Sequence, residues 1–291
     1  MNTELYLFGS RTIERWQDTG VSTGFPLRRI SGATQQRGLG AKASVATWQN
    51  SIFFLADDFT VQTISGGQMQ KISNLELDEK VKEYSFPERA EAFFIDDTQH
   101  KVYCLTFPGN GVTWCYDVST GLWHNRSSVD VDGWRINSSA LIFNQVVMGD
   151  KKNGKLYALS DTTYKEGTVE TPVIFTTPPF RSDEGNFTMT RLELICEVGV
   201  GTIEDTDETG VKQPDTLEPI VSMRMSKDGG ETWGSWKDRS LGRIGRRDTK
   251  VIWRGGGRVV RTQNLVFQFL INDPVKFEAY ALYVDVEPGL V

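Results

Sequence analysis

Ser226-Lys227-Asp228-Gly229-Gly230-Glu231-Thr232-Trp233 is the stretch whose reading decides the fold. Its pattern, Ser-x-Asp-x-Gly-x-Thr-Trp, is that of an Asp box, a β-hairpin turn found in propeller and sandwich proteins. Gly229 and Gly230 can take positive φ without a Cβ clash. Asp228 is expected to accept from backbone amides two residues on, and Trp233 to fold over the hairpin as a small core. Nothing in the unit is a nucleophile, a base poised by a partner, or a metal ligand set. Ser226, Asp228, Gly230, Thr232 and Trp233 are therefore assigned to a structural turn.

The flanks extend the β reading. Val221-Ser222-Met223-Arg224-Met225 alternates apolar and polar, as a half-buried strand does. After the turn, strands are expected at Leu241–Gly245, Lys250–Arg254, Leu265–Ile271 and Ala279–Val286, with Asp273-Pro274-Val275 between the last two.

The chain has 291 residues, enough for one large or two medium domains. With 38% apolar and 24% charged residues it reads as a folded protein rather than a disordered one. Eight Trp, 16 Phe and 28 Gly favour twisted antiparallel sheets with many turns. No stretch approaches a membrane-spanning length of apolar residues. Met1-Asn2-Thr3-Glu4 lacks the basic start and apolar core of a signal peptide, so the expected compartment is a cytoplasm. The net charge of −6 argues against a general nucleic-acid binder. Of the three cysteines, Cys104 and Cys115 fall opposite one another if the chain folds back at Pro108-Gly109-Asn110-Gly111. A disulfide is geometrically conceivable there, and two buried thiols are expected in a reducing cytoplasm.

Residues 5–165 read as short strands punctuated by turns about every ten residues. Leu5–Gly9 gives way to Arg11–Trp16; Ser51–Ala56 to Thr60–Ile64 and Met69–Ile72; Ala92–Ile95 to Val102–Leu105, Thr113–Val118 and Leu122–His124; Leu141–Phe143 to Val146–Asp150 and Lys155–Leu159. That recurrence of roughly 40 residues suggests propeller blades, with a β-sandwich as the competing reading. Tyr116-Asp117-Val118-Ser119-Thr120-Gly121-Leu122-Trp123 reads as a blade ending whose Trp packs on the next blade. One segment, 74–84, is expected to be helical, capped by Asn74 and stopped before Pro87. Prolines cluster between Pro172 and Pro179, placing a domain boundary there: blades over 1–170 and a β-sandwich over 171–291. Residues 201–219 are expected to form a long acidic loop.

The order of these pieces resembles the packaged-DNA-stabilisation proteins of short-tailed bacteriophages, the tail-hub family. In the N-terminal half the resemblance rests on Leu7-Phe8-Gly9-Ser10-Arg11-Thr12-Ile13-Glu14-Arg15-Trp16, Gly38-Leu39-Gly40-Ala41-Lys42-Ala43-Ser44-Val45 and Gln70-Lys71-Ile72-Ser73. In the C-terminal half it rests on the Asp box, Leu241-Gly242-Arg243, Val251-Ile252-Trp253-Arg254, the Phe267-Gln268-Phe269 strand, Asp273-Pro274-Val275 and Val284-Asp285-Val286. Members of that family carry further blades before the point corresponding to Leu5. The resemblance thus implies either a shortened propeller or one completed by another segment or chain. It further implies a virion tail protein assembled in the host cytoplasm, a hexameric ring below the portal and its adaptor ring. Such a ring seals packaged DNA in the head and offers attachment to the tail needle and tailspikes, with no enzymatic step and no cofactor.

From Lys237 to Arg261 nine basic residues meet two acidic ones, a local charge of +7. This reads as a subunit interface, a DNA contact in a channel, or a solvated strand face. Arg243, Arg246, Arg247 and Arg254 are the candidate contacts, with Glu204, Asp205, Asp207 and Glu208 of the acidic loop as counter-charges. The two histidines, His100 and His124, supply neither a metal set nor a catalytic triad. Asp57-Asp58 and Asp96-Asp97 sit at predicted turns, where a carboxylate bonds backbone amides more readily than it serves as a glycosidase acid. Gly255-Gly256-Gly257 lacks a following Lys-Ser/Thr, so a hairpin turn or bulge fits better than a phosphate loop. The rival reading is a sialidase-like or carbohydrate-binding propeller, which would need an arginine cluster and a tyrosine–glutamate pair converging in its mouth.

Overall fold

The computed structural model describes residues 4–98, 100–181, 185–200 and 218–289. The chain divides into two compact units, Met1–Leu159 and Ser160–Val291.

The first unit is a succession of four antiparallel meanders, the blade pattern of a propeller. The first sheet is β1 (Glu4–Phe8), β2 (Ile13–Asp18) and β3 (Leu27–Arg29), and the second is β4 (Ala46–Trp48), β5 (Ser51–Leu55), β6 (Val61–Ser65) and β7 (Gln68–Lys71). Helix α1 (Leu75–Glu83) leads to the third sheet, β8 (Glu91–Asp96), β9 (Lys101–Phe107), β10 (Val112–Asp117) and β11 (Leu122–Arg126). The fourth is β12 (Ile136–Ile142), β13 (Gln145–Asp150) and β14 (Leu156–Ala158). Strands within each sheet are paired in chain order, so every connection is a short hairpin.

Apolar side chains collect between neighbouring sheets rather than in one centre. Ile13, Phe54, Ala56 and Ile64 pack between the first and second sheets. Phe53, Leu55, Val61, Tyr103, Leu105 and Trp114 fill the space between the second and third, where Leu77 and Val81 of α1 also enter. Ile95, Val102, Cys104, Cys115, Trp134, Ile136 and Met148 do the same between the third and fourth. The central strand β9 is buried on both faces after Lys101, which is why its sequence runs Val-Tyr-Cys-Leu-Thr-Phe without alternation. Asn74 caps α1, its Oδ1 accepting from the Leu77 amide at 2.9 Å, and the helix stops before Pro87 begins a 3₁₀ turn.

Trp123 departs from its expected direction. It packs not on the following sheet but on the preceding one: its Nε1 donates to the Ile72 carbonyl at 2.8 Å, and its ring lies 5.1 Å from Tyr116. Its neighbours belong to the cluster that holds α1, and the helix supplies the apolar cover that draws the indole that way.

The second unit begins with a short hairpin, β15 (Lys165–Glu166) and β16 (Val169–Glu170), followed by β17 (Val173–Thr176), β18 (Phe187–Cys196), β19 (Ile220–Ser226), β20 (Lys237–Ser240), β21 (Val251–Val259), β22 (Val266–Ile271) and β23 (Ala279–Pro288). They make two sheets, in the orders β17-β22-β19-β20 and β21-β18-β23. Both sheets contribute to one core of Phe187, Leu192, Leu194, Val221, Met223, Trp253, Phe267, Phe269 and Ile271. Side chains join the edge strands across the layers: Trp253 Nε1 on β21 donates to the Lys237 carbonyl on β20 at 2.7 Å, and Arg239 Nε on β20 to the Ile252 carbonyl at 2.6 Å.

The strand after the Asp box lies earlier than the sequence suggests. It is Lys237–Ser240, and Leu241–Gly245 belongs to the loop beyond it. An all-polar Lys-Asp-Arg-Ser edge strand carries no hydrophobic signal, whereas buried Leu241 does. Gly255-Gly256-Gly257 lies within β21 as a bulge: Arg254 pairs Arg191 and Gly257 pairs Met189, which leaves one extra residue on β21.

Candidate functional site

The Asp-box turn joins β19 to β20. Ser226, 1% exposed, donates its hydroxyl to Asp228 Oδ1 at 2.6 Å and accepts the Gly230 amide at 2.8 Å. Asp228 Oδ1 takes the amide of Thr232 at 2.9 Å, four residues on rather than two, because Ser226 occupies the nearer amides; Oδ2 takes the Thr232 hydroxyl. The Ser226 and Thr232 bonds hold the Asp228 carboxyl well below the usual aspartate range. Gly229 (φ 81°) and Gly230 (φ 107°) take left-handed backbone. Trp233 lies beside Gly230, where a Cβ would meet its ring at 3.6 Å. Trp233 also brackets Arg224 with Trp236: the guanidinium sits 4.7 Å and 4.6 Å from the two ring centres, while its Nε donates to Gln268 at 2.7 Å.

The basic residues form two groups. Arg243, Arg246 and Arg247 lie on the β20–β21 loop and are exposed; Arg254 is exposed on β21. That loop is exposed but fixed. Gly245 N donates to the Gly199 carbonyl at 2.9 Å, Gly199 N to the Leu241 carbonyl at 2.9 Å, and Arg246 N to the Arg243 carbonyl at 2.9 Å. A Cβ on Gly199 would meet the Arg246 carbonyl oxygen at 2.7 Å, so only glycine allows the loop to lie this close. On the other side Ser240 donates to Glu218 at 2.8 Å, and Arg243 pairs with Glu218 at 3.6 Å. The loop therefore touches the residues that flank segment 201–217 on both sides. The predicted counter-charges Glu204, Asp205, Asp207 and Glu208 lie outside the described residues. Arg246 pairs with Asp248 at 3.2 Å, whereas Arg247 and Arg254 have no carboxylate partner among the described residues.

Asp57, Asp58, Asp97 and His100 sit in connections between strands, whereas Asp96 ends β8 and His124 lies within β11. Asp58 takes the Thr60 amide at 3.1 Å and Arg37 at 2.8 Å, and Asp97 takes the Thr98 amide at 2.7 Å. His100 Nδ1 lies 2.7 Å from Asp117, and His124 Nε2 lies 3.3 Å from Arg126. Among the described residues no three His, Cys, Asp or Glu side chains converge to hold a metal. No helix among them is long and apolar enough to cross a membrane.

Sequence reasoning missed a polar cluster in the fourth sheet. Arg135 Nη1 lies 3.2 Å from Asp150 and 3.1 Å from the Tyr157 hydroxyl, and Nη2 binds Asp130. One arginine, one tyrosine and two aspartates meet there, not the arginine cluster and tyrosine–glutamate pair that the rival reading requires. The Arg135 side chain is 7% exposed and that of Asp150 0%, which closes the centre of the cluster to a substrate. Its sequence signal is weak: Trp134-Arg135 directly ahead of β12, and Gly149-Asp150 at the end of β13.

Two family profiles match the chain. One, described as the β-propeller of bacteriophage P22 Gp10, matches residues 1–164; the other, described as the β-sandwich of P22 Gp10, matches residues 172–287. No curated protein matches. Among solved structures, the computationally designed Ika4 protein is 19% identical with a TM-score of 0.31, over 55% of this chain and 86% of that one. TolB from Acinetobacter baumannii is 14% identical with a TM-score of 0.29, over 62% and 46%. An exo-β-1,3-galactanase from Phanerochaete chrysosporium is 7% identical with a TM-score of 0.30, over 93% and 74%. These structural likenesses are too loose to carry a functional argument.

Proposed function

The chain belongs to the bacteriophage P22 Gp10 family of tail-hub structural proteins, and from that premise we propose that it forms a hexameric ring below the portal and adaptor. The ring would seal packaged DNA in the head and offer attachment to the tail needle and tailspikes. It would assemble in the host cytoplasm and work by subunit packing, without bond chemistry. The observation that most supports this is the β20–β21 loop, whose Arg243, Arg246 and Arg247 project into solvent from backbone pinned to Gly199 and Leu241. A charged loop held rigid loses little entropy on docking. Glu204, Asp205, Asp207 and Glu208 of a neighbouring copy are the proposed partners, and such complementarity sets register and association rate more than final affinity. Contact with DNA is confined to the channel in this reading, because the net charge of −6 repels it elsewhere.

Electron microscopy of the purified protein mixed with portal and adaptor tests the proposal. A six-fold ring seated on the adaptor is the expected image. A protein that stays apart from both and hydrolyses or binds glycans would overturn it.

A further inference from the structure

Phe93, Cys104, Cys115 and His124 stand in one row across β8, β9, β10 and β11. Val118 N donates to the Lys101 carbonyl at 2.8 Å, which makes 101–118 a hydrogen-bonded pair. By the alternation of an antiparallel ladder, Cys104–Cys115 is then a non-hydrogen-bonded pair, the kind whose Cα atoms approach to about 4.5 Å. A disulfide asks for a Cα separation of about 4.4–6.8 Å. The two Sγ atoms are 3.6 Å apart and both residues are 0% exposed, packed beside Trp134, Ile136 and Met148.

The two thiols are not equivalent. Burial raises both, but the contact with Cys104, then His124 and Arg126, pull the Cys115 thiol below its usual range, while Cys104 is pushed well above it. Arg126, two residues further along β11, reaches back to the row: its guanidinium lies 5.3 Å from the Trp134 ring centre and its Nε 3.3 Å from His124 Nε2. β11 is the edge strand of its sheet, so local fraying there opens a path to Cys115.

We propose that Cys104 and Cys115 form an oxidative modification site, a dithiol in the reducing cytoplasm that a peroxide closes to a cross-strand disulfide once the particle leaves the cell. The Cys115 thiolate attacks one peroxide oxygen, the O–O bond breaks and hydroxide leaves, giving a sulfenic acid. Cys104 Sγ then attacks the Cys115 sulfur, the S–O bond breaks, and water departs with the Cys104 proton. Both thiols together lose two electrons and two protons, and the peroxide is reduced to two waters. The change of surroundings rests on the proposed virion role; the thiol chemistry does not.

The test uses the full chain, treated with hydrogen peroxide, then denatured, alkylated and digested for mass spectrometry. A peptide linked through Cys104 and Cys115 is expected, with Cys196 the one alkylated thiol of the three and all three recovered after reduction. The unfolding midpoint of the first unit should rise by a few degrees, since the bridge restrains the unfolded chain. Cys104→Ser should instead trap a sulfenic acid at Cys115, read as a dimedone adduct. Three alkylatable thiols after peroxide, or no adduct in the variant, would overturn the inference and leave the ring proposal standing.

Discussion

A Cβ on Gly38 would lie 2.1 Å from the Ser10 carbonyl carbon and 2.2 Å from its oxygen, both backbone atoms that no rotamer change can move. The segment Gly38-Leu39-Gly40 threads between two turns: Leu39 N donates to the Gly9 carbonyl at 2.9 Å and Gly40 N to the Leu55 carbonyl at 2.9 Å. Gly38→Ala should therefore destabilise the first unit by about 3 kcal/mol or more, at the upper end of overpacking costs; urea unfolding followed by Trp fluorescence measures it. Ser226→Ala acts by a different route, leaving the buried end of the Asp box without an acceptor for the Gly230 amide. A loss of about 1–3 kcal/mol in the second unit is expected, while Ser226→Thr should keep most of it. The sequence displays the Asp box because its partners lie within eight residues of one another. The need for glycine at 38 is hidden, because Ser10 comes to it only through the packing of one sheet on the next.

Helix α1 is legible for the same local reason: its cap, its acidic first turn and its terminator all lie in the segment itself. Strand β20 is not, since what keeps Lys237–Ser240 extended is pairing with β19 and the grip of Trp253 and Arg239 across the layers. Strand β18 shows both behaviours, for Phe187 and Met189 face inward and, after the bulge at Thr190, Leu192 and Leu194 do so in shifted phase. At this scale the Asp box makes the second unit sensitive to acid. Ser226 and Thr232 depress the Asp228 carboxyl, so its contribution is fully present above the ordinary aspartate value of about 3.9. The contribution is lost as pH falls toward the lower folded value. The urea midpoint of the second unit should drop between pH 5 and pH 2, about the span of such a titration, and Asp228→Asn should flatten that drop.

At the scale of the molecule, a propeller followed by a β-sandwich was readable from the spacing of turns and the flanks of the Asp box, and the two compact units part after Leu159, ahead of the proline cluster. The charge pattern was readable too, as composition. What the sequence could not provide is how the basic residues divide. Arg239 is spent on the Ile252 carbonyl and Arg243 on Glu218, whereas Arg247 and Arg254 meet no carboxylate among the described residues. The pair Arg246→Glu and Arg247→Glu should slow or abolish assembly by at least about tenfold while leaving the protomer's melting curve within the small range of surface substitutions. Sedimentation velocity paired with calorimetry separates the two effects. Assembly of the unaltered protein should also slow as salt is raised, because exposed charges are screened within about 8 Å at physiological ionic strength.

Apolar side chains in the first unit are pooled into three seams, each shared by two adjoining sheets. Damage to one seam reaches only the sheets that border it, so heating or mutation should melt this unit in instalments that hydrogen exchange can resolve. The same bookkeeping operates in the gene: a duplication or deletion of a whole meander alters the seams at the splice and spares the others. Blade number is thus a quantity that such a lineage can revise without rewriting the remaining interior.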